Sequence, residues 1–365
     1  MYTDLKIQNF RGFKNIEIKG IKRINLIAGM NDSGKTSLLE AIFLNAGKNI
    51  NLIFSINKFR GINRITLNTK SERPWNSIFY NTNFNNKVII SGNWNSNKRI
   101  IEISAGSSNI EINAKSSKIK EYKSNYNSIS EYPEITPTVN ISELDPAQIL
   151  RLKYSEKNKT ETYDLIIDSN GITSSRLPSP SFPAYFYGCN LQTTFEDAEL
   201  FGKLDVLNEI DNITKILQII EPRLKRLTIV VLNGEPIIHG DVGLGKLLPL
   251  PFMGGGLCRL MSIILRISNA KGGVVLIDEI ENGFHFSINA KIWQAIDEVS
   301  KKYNVQIFAT THSYECINYA YDVFSRGNKD DFAFFRLDRI DEKIIAKLFD
   351  IKMLKYALET ETEVR

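Results

Sequence analysis

Gly29-Met30-Asn31-Asp32-Ser33-Gly34-Lys35-Thr36 fits the spacing G-x-x-x-x-G-K-[ST], and its flanks carry the rest of the signal. Before it runs the apolar Ile24-Asn-Leu-Ile-Ala28; after it comes Ser37-Leu-Leu-Glu-Ala-Ile-Phe43. This order predicts a strand, a glycine-bounded loop and a helix, the setting that a phosphate-binding loop of this spacing requires. A helix N-terminus has N–H groups with no intrahelical partner and a partial positive charge, so the loop can wrap a polyphosphate. Lys35 is placed to reach the outer phosphates, and the Thr36 hydroxyl to take a Mg2+ position. Eight-residue patterns also arise by chance at helix starts, so the rest of the chain has to decide.

Working outward, residues 2–9 alternate apolar and polar, Phe10-Arg-Gly-Phe13 reads as a turn, and Asn15-Ile-Glu-Ile-Lys19 alternates again. An antiparallel hairpin is expected there. On the other side, the loop helix should end near Asn45-Ala-Gly47, with Gly47 as a C-terminal cap. Residues 48 to about 190 are rich in Asn and Ser, with short alternating segments at 87–91, 99–104, 148–154 and 162–167. They predict an inserted antiparallel β lobe, read as scaffold, with an excursion over 115–145. Pro183–Tyr187 is a strand candidate, and the apolar spacing from Phe195 to Ile220 predicts one helix ended by Pro222. Leu227–Leu232, the Asn233-Gly234 turn and Pro236–His239 predict a hairpin.

Composition bounds the class. The chain has 365 residues, 42% hydrophobic and 24% charged, enough for a sizeable core in one large α/β domain or two to three smaller ones. Its net charge of +5 permits contact with nucleic acid without arguing for it. Cys189, Cys258 and Cys316 form no C-x-x-C pair, so neither a disulfide framework nor a zinc site is indicated. With no signal pattern and no apolar run of membrane-spanning length, a cytoplasmic protein is expected.

A second chemical cluster lies far along the chain. Gly254-Gly255-Gly256 opens the apolar helix Leu257–Arg266, which suits an anion at its N-terminus or close backbone packing equally well. Gly273-Val-Val-Leu-Ile-Asp-Glu279 predicts a buried parallel strand ending in two carboxylates, at the edge where open α/β sheets bind ligands. Asp278 is placed to hold the Mg2+ water shell, and Glu279, facing the other way, to polarise an attacking water. Without a phosphate loop upstream this would be an ordinary acidic turn. Val305–Ala309 predicts a further strand, ending in Thr310-Thr311-His312-Ser313, where His312 reads as a phosphate sensor. His239 belongs with its hairpin; for His285 a functional and a structural reading stand open.

In this order, Asn9-Phe-Arg-Gly-Phe13, the phosphate loop, Met253-Gly-Gly-Gly256, Leu276-Ile-Asp-Glu-Ile-Glu-Asn-Gly283 and Thr310-Thr-His-Ser313 resemble ABC-type ATPases of the SMC/RecF/OLD group. The chain is similar above all to OLD-like AAA ATPases of bacterial antiviral systems. The resemblance covers about residues 1–47 and 225–325. It implies an ABC-type P-loop ATPase head, an α/β fold with a mixed sheet, flanking helices and the inserted antiparallel lobe. The domains so expected are a core N-terminal part (1–47), the lobe (48–190), a helical segment with the core C-terminal part (191–330) and a short extension (331–365). The binding residues implied are Gly29, Asn31, Asp32, Ser33, Gly34, Lys35, Thr36 and Ser37, for ATP. Thr36 and Asp278 would hold Mg2+, Glu279 would be the catalytic base, and His312 would read the γ-phosphate. Lys35 completes the catalytic set. Gly254, Gly255 and Gly256 stand at the signature motif that contacts ATP on the opposite subunit, and Arg11 falls where the group places a basic residue near the nucleotide. Asn282 to His285 occupy the place of a loop crossing the dimer interface.

The resemblance also has gaps. Met253 and Gly254 replace the usual Leu-Ser start of the signature, and Gln192 is a poor candidate for the Mg2+-binding glutamine. OLD nucleases carry a further nuclease domain, and the stretch after His312 is too short for one. The implied protein is a homodimer around ATP, compatible with a larger assembly, that regulates a separate effector such as a nuclease or toxin in antiphage defence, away from membranes. Two rivals are a RecF-like DNA-binding ATPase of DNA maintenance and a non-hydrolysing, ATP-dependent scaffold.

Overall fold

The computed structural model describes residues 1–47, 52, 53, 56, 59, 60, 75–107, 148–168, 171–174, 180–188, 194–327, 329–360, 363 and 364. The 115–145 excursion and Gln192 lie outside the described residues. The chain divides into two compact units. One comprises 1–21, 30–182 and 337–348; the other comprises 22–29, 183–336 and 349–365.

The first unit is built on a seven-stranded antiparallel sheet in the order β2-β1-β4-β5-β6-β7-β8. Its strands are β1 (Tyr2–Phe10), β2 (Phe13–Lys19), β4 (Val88–Trp94), β5 (Asn97–Ser107), β6 (Gln148–Glu156), β7 (Lys159–Asp168) and β8 (Gly171–Ser174). Alternation explains them. Along β4 every second residue is buried, from Val88 to Trp94, as a sheet with one covered face demands. The N-terminal hairpin joins the lobe strands in one sheet, through the pairing of β1 with β4.

The loop helix, α1 (Lys35–Gly47), belongs to the same unit and is buried from Ser37 onward. Its far end is fixed by polar bonds to the sheet. Tyr2 donates its hydroxyl to Asn45 Oδ1 at 2.7 Å, Asn45 donates to the Ile90 carbonyl, and Arg99 donates to the Asn45 and Ala46 carbonyls. Those last-turn carbonyls lack intrahelical partners, and the fully buried guanidinium supplies them. Gly47 is not the left-handed cap its position suggests. It is the last helical residue, and a Cβ there would stand 2.1 Å from Leu52, so the glycine allows close packing.

In the second unit five parallel strands run in the order β15-β3-β14-β13-β9. They are β3 (Ile24–Ala28), β9 (Ala184–Tyr187), β13 (Val274–Ile277), β14 (Gln306–Thr310) and β15 (Phe332–Ile340). β3, β9, β13 and β14 are buried at every residue, the continuous apolar reading expected of parallel strands covered on both faces. Asn25, buried within β3, is satisfied by the Lys22 backbone and the Ile307 carbonyl. Past Arg336, β15 continues into the first unit and turns at Asp341-Glu342 into β16 (Lys343–Phe349).

Helices α2 (Thr194–Val206), α3 (Ile210–Leu217), α4 (Gly255–Asn269), α5 (Asn289–Tyr303), α6 (Tyr314–Arg326) and α7 (Ile351–Glu359) complete the second unit. A small sheet adds β10 (Arg226–Leu232), β11 (Glu235–Asp241) and β12 (Leu248–Pro249). Asn233 and Gly234 both take positive φ, as the expected two-residue hairpin turn needs. The single helix expected over 195–220 is two. Leu207 is 67% exposed and Asn208 adopts a left-handed φ of 57°, so the chain breaks where an apolar side chain has no core to enter.

Candidate nucleotide-binding and hydrolysis site

The phosphate loop leaves the carboxyl end of β3 at Gly29, whose φ of 149° favours glycine. Within the first unit the loop closes on itself. Ser33 N–H donates to the Met30 carbonyl at 3.2 Å, the Lys35 ammonium donates to the same carbonyl at 3.0 Å, and Leu38 N–H donates to Gly34. Asp32 and Gly34 take φ of 63° and 92°. A Cβ on Gly34 would stand 2.8 Å from the Phe13 ring, so this position combines a left-handed backbone with a wall directly behind it. Asn31 and Asp32 are exposed, Lys35 and Thr36 half-buried. The Ser33 hydroxyl is buried with no hydrogen-bond partner among the described residues. A loop of backbone N–H groups with an orphaned hydroxyl and an ammonium suits a polyphosphate.

Arg11 lies beside α1, its guanidinium donating to the Glu40 carboxylate at 3.0 Å and to Ser77. Arg60 reaches the same carboxylate at 2.6 Å and the Ser37 hydroxyl at 3.1 Å. Glu40 is fully buried, so two guanidinium groups meet one sealed carboxylate.

At the carboxyl edge of the second unit, Asp278 and Glu279 follow β13 directly. The Asp278 backbone is tied to β9 through the Tyr187 carbonyl at 2.8 Å. Thr310, fully buried at the end of β14, connects the two acids: its hydroxyl donates to Asp278 Oδ1 and accepts the Glu279 backbone N–H at 2.8 Å. Glu279 has a φ of 50°, a strained value for a residue with a long side chain, and its carboxylate accepts from Asn282 Nδ2. That turn ends the alternation of the strand. His312 follows Thr311, whose N–H is paired to β3 at Ile27, and receives the Glu281 carboxylate at 3.1 Å on Nδ1.

The triple glycine opens α4. Gly254 takes a φ of 115° with a ψ of 141°, a conformation open to glycine alone, and a Cβ on Gly256 would come within 3.3 Å of the Gly283 carbonyl. Close approach of the helix start to the turn after Glu279 is therefore one use of these glycines. Arg259, one turn further on, donates to the Asp278 and Glu279 carbonyls at 3.2 and 2.7 Å and lies over the Tyr187 ring. Burial of that ring raises the Tyr187 pKa. A cavity of about 690 Å³ in this unit is lined by Tyr187, Gly255, Arg259, Ser262, Glu279 and Asn282, among others.

The structure thus gathers Asp278, Glu279, His312 and the end of β3 at one sheet edge of the second unit, and in the first it sets Arg11 against Glu40 of the loop helix. His239 is buried, with Nδ1 against the Ile237 carbonyl of its own hairpin, and His285 caps the short turn at Phe286–Ile288. Thr310, Arg259 and Glu281 bond to the acidic sheet edge of the second unit, and no motif in the sequence assigns them a role. A charged residue inside the apolar run Leu257–Leu265 was the available signal for Arg259.

Among the described residues no group of three or more His, Cys, Asp or Glu is placed to hold a metal. The Asp278 carboxylate in one unit and the Thr36 hydroxyl in the other are each an oxygen donor of the kind Mg2+ takes alongside waters and phosphate oxygens.

Residues 24–318 match the family described as "AAA domain, putative AbiEii toxin, Type IV TA system". The chain belongs to this AAA family. Within it lies the ATPase-type fold: an SMC head, solved with the C-winged helix domain of ScpA bound, superposes with a TM-score of 0.52 at 14% identity, covering 97% of this chain and 99% of that one. A Helicobacter pylori protein named "ATP/GTP phosphatase" is 25% identical over 99% of both chains. A RecF protein of Nitrosococcus oceani, named for DNA replication and repair, is 55% identical over 42 residues, 12% of each chain. Membership makes this a nucleotide-binding ATPase-type chain. Among the described residues no helix is long and apolar enough to cross a membrane.

Proposed function

We propose that this protein hydrolyses ATP, dimerises around it, and passes the resulting switch to a separate effector, a nuclease or toxin of antiphage defence. The observation that carries the hydrolytic part is the Thr310 hydroxyl bound to Asp278 and Glu279 together at the carboxyl edge that β3 shares. The name of the Helicobacter pylori relative supports the same chemistry.

The roles follow from the residue types. The loop N–H groups and Lys35 bind the phosphates, and Ser33 can give its orphaned hydroxyl to an oxygen. Thr36 and Asp278 would hold Mg2+, which when bound neutralises charge on the outer phosphates. Thr310 orients Asp278 through one hydrogen bond and Glu279 through another. Glu279 takes the proton from the attacking water, and Asn282 aims its carboxylate. His312 meets the terminal phosphate. Gly254–Gly256 and the turn through Asn282–His285 face the second subunit.

Phosphate release from ATP, with light scattering in the same samples, tests this. Wild type should release phosphate and double its mass with ATP, and Lys35→Ala should do neither. A Lys35→Ala variant as active as wild type would refute the assignment. The local match to RecF favours a second reading, a clamp on DNA. Steeply salt-dependent DNA affinity would support it, and absence of binding with or without ATP would remove it.

A further inference from the structure

Glu281 stands three residues past Asp278, in the loop that leaves β13, and the roles above make no use of it. Its Oε1 accepts a hydrogen bond from the His312 backbone N–H at 2.9 Å and lies 3.1 Å from the ring Nδ1 of the same residue. The carboxylate is nearly sealed, with a side chain 11% exposed, while the imidazole is 51% exposed. Oε2 is buried without a hydrogen-bond partner among the described residues, so the hydrogen bond traced to this side chain comes from His312.

The neighbouring backbone makes the contact rigid. Ile280 N–H donates to the Thr310 carbonyl at 2.9 Å, and Asn282 N–H donates to the Glu279 carbonyl at 3.0 Å, so both residues flanking Glu281 are pinned. The carboxylate lies at the first turn of α6, where the helix N-terminus favours negative charge. Burial first, and Glu281 next, push the Cys316 thiol of that turn up to about 12.

A carboxylate can only accept, so its 3.1 Å approach favours a hydrogen on Nδ1. Nε2 is then an acceptor in the neutral ring and a donor in the doubly protonated one. We propose that Glu281 is the positioning residue of His312: it fixes Nδ1 as the hydrogen-bearing nitrogen and presents Nε2 to the terminal phosphate. This rests on the reading of His312 as the residue that meets that phosphate.

Two measurements test it. The chain has three histidines, so nitrogen-15 spectra of histidine-labelled full-length protein, assigned with His312→Gln, report the tautomer directly. The Nδ1–H form is expected for His312 at a pH where the ring is neutral. The second measurement is a double-mutant cycle on steady-state ATP hydrolysis. Glu281→Ala should lower kcat about tenfold, the scale on which orienting partners of metal-bound histidines act, with KM unchanged. Glu281→Gln, still able to accept from either nitrogen, should restore most of it, and Glu281→Ala added to His312→Ala should change little. An Nε2–H tautomer, or equal losses from Glu281→Ala on both backgrounds, would overturn the positioning role. An unchanged kcat in His312→Ala alongside the Nδ1–H tautomer would overturn the phosphate reading instead and leave the contact standing.

Discussion

Buried charge is held differently beside the phosphate-loop helix of the first unit and at the acidic sheet edge of the second. In the first, Glu40 is sealed and faces the guanidinium groups of Arg11 and Arg60, while Arg99 closes the last turn of α1. In the second, Asp278 takes a threonine hydroxyl and Glu279 a carboxamide and a backbone-anchored turn, with Arg259 bound to their carbonyls. A carboxylate bonded to arginine is a strut. One held by a neutral donor, as Glu279 is by Asn282, keeps its charge available for a proton. Glu40, which supports the phosphate-loop helix, thus stands apart from Asp278 and Glu279, the acids proposed to do chemistry.

Removing a strut should have the largest effect. Glu40→Ala leaves the Arg11 side chain, 9% exposed, without its carboxylate and should destabilise the protein by about 3–5 kcal/mol in denaturant unfolding. Arg60, at 38% exposed, adds little. A loss under about 1 kcal/mol would place Glu40 among ordinary surface acids.

Thr310→Val asks the converse question. Valine keeps the β-branched shape of the strand end and deletes the hydroxyl shared by Asp278 and Glu279. Stability should fall by about 1–3 kcal/mol, the scale for a buried group that loses its partner, and kcat should fall further than stability explains. Equal kcat in both proteins would show that the acids need no such tie.

A smaller effect comes from a half-buried acid on the outside of the second unit. Hydrogen bonds from Lys302, Asn212 and Tyr303 hold the Glu209 carboxyl down at about 2, joining α3 to α5. Its folded pKa is depressed, so its contribution is present above the ordinary carboxylate range near 4.5 and is lost as pH falls toward 2. Acid unfolding of Glu209→Gln should be less steep than that of wild type across that window.

How much of this was legible depends on distance along the chain. The phosphate loop, the Val274–Ile277 strand with its acids, and the Asn233-Gly234 hairpin are local patterns, and each stands where its residues place it. The bonds that tie Thr310 to Asp278, Glu281 to His312 and Arg259 to the acidic turn are tertiary, and no spacing rule encodes them. The union of β1 with β4 was equally hidden, because two alternating segments on either side of α1 state no partner. The break at Asn208 escaped because helical periodicity runs through it while the core does not.

Glu279→Gln asks whether Glu279 is the base of an ATP-hydrolysing site, as proposed above. Glutamine is close to isosteric and still accepts the Asn282 hydrogen bond, so fold and ATP affinity should hold while single-turnover phosphate release falls by about 10²–10⁴-fold, the usual contribution of a general base. Equal rates in the variant and the wild type would contradict the account.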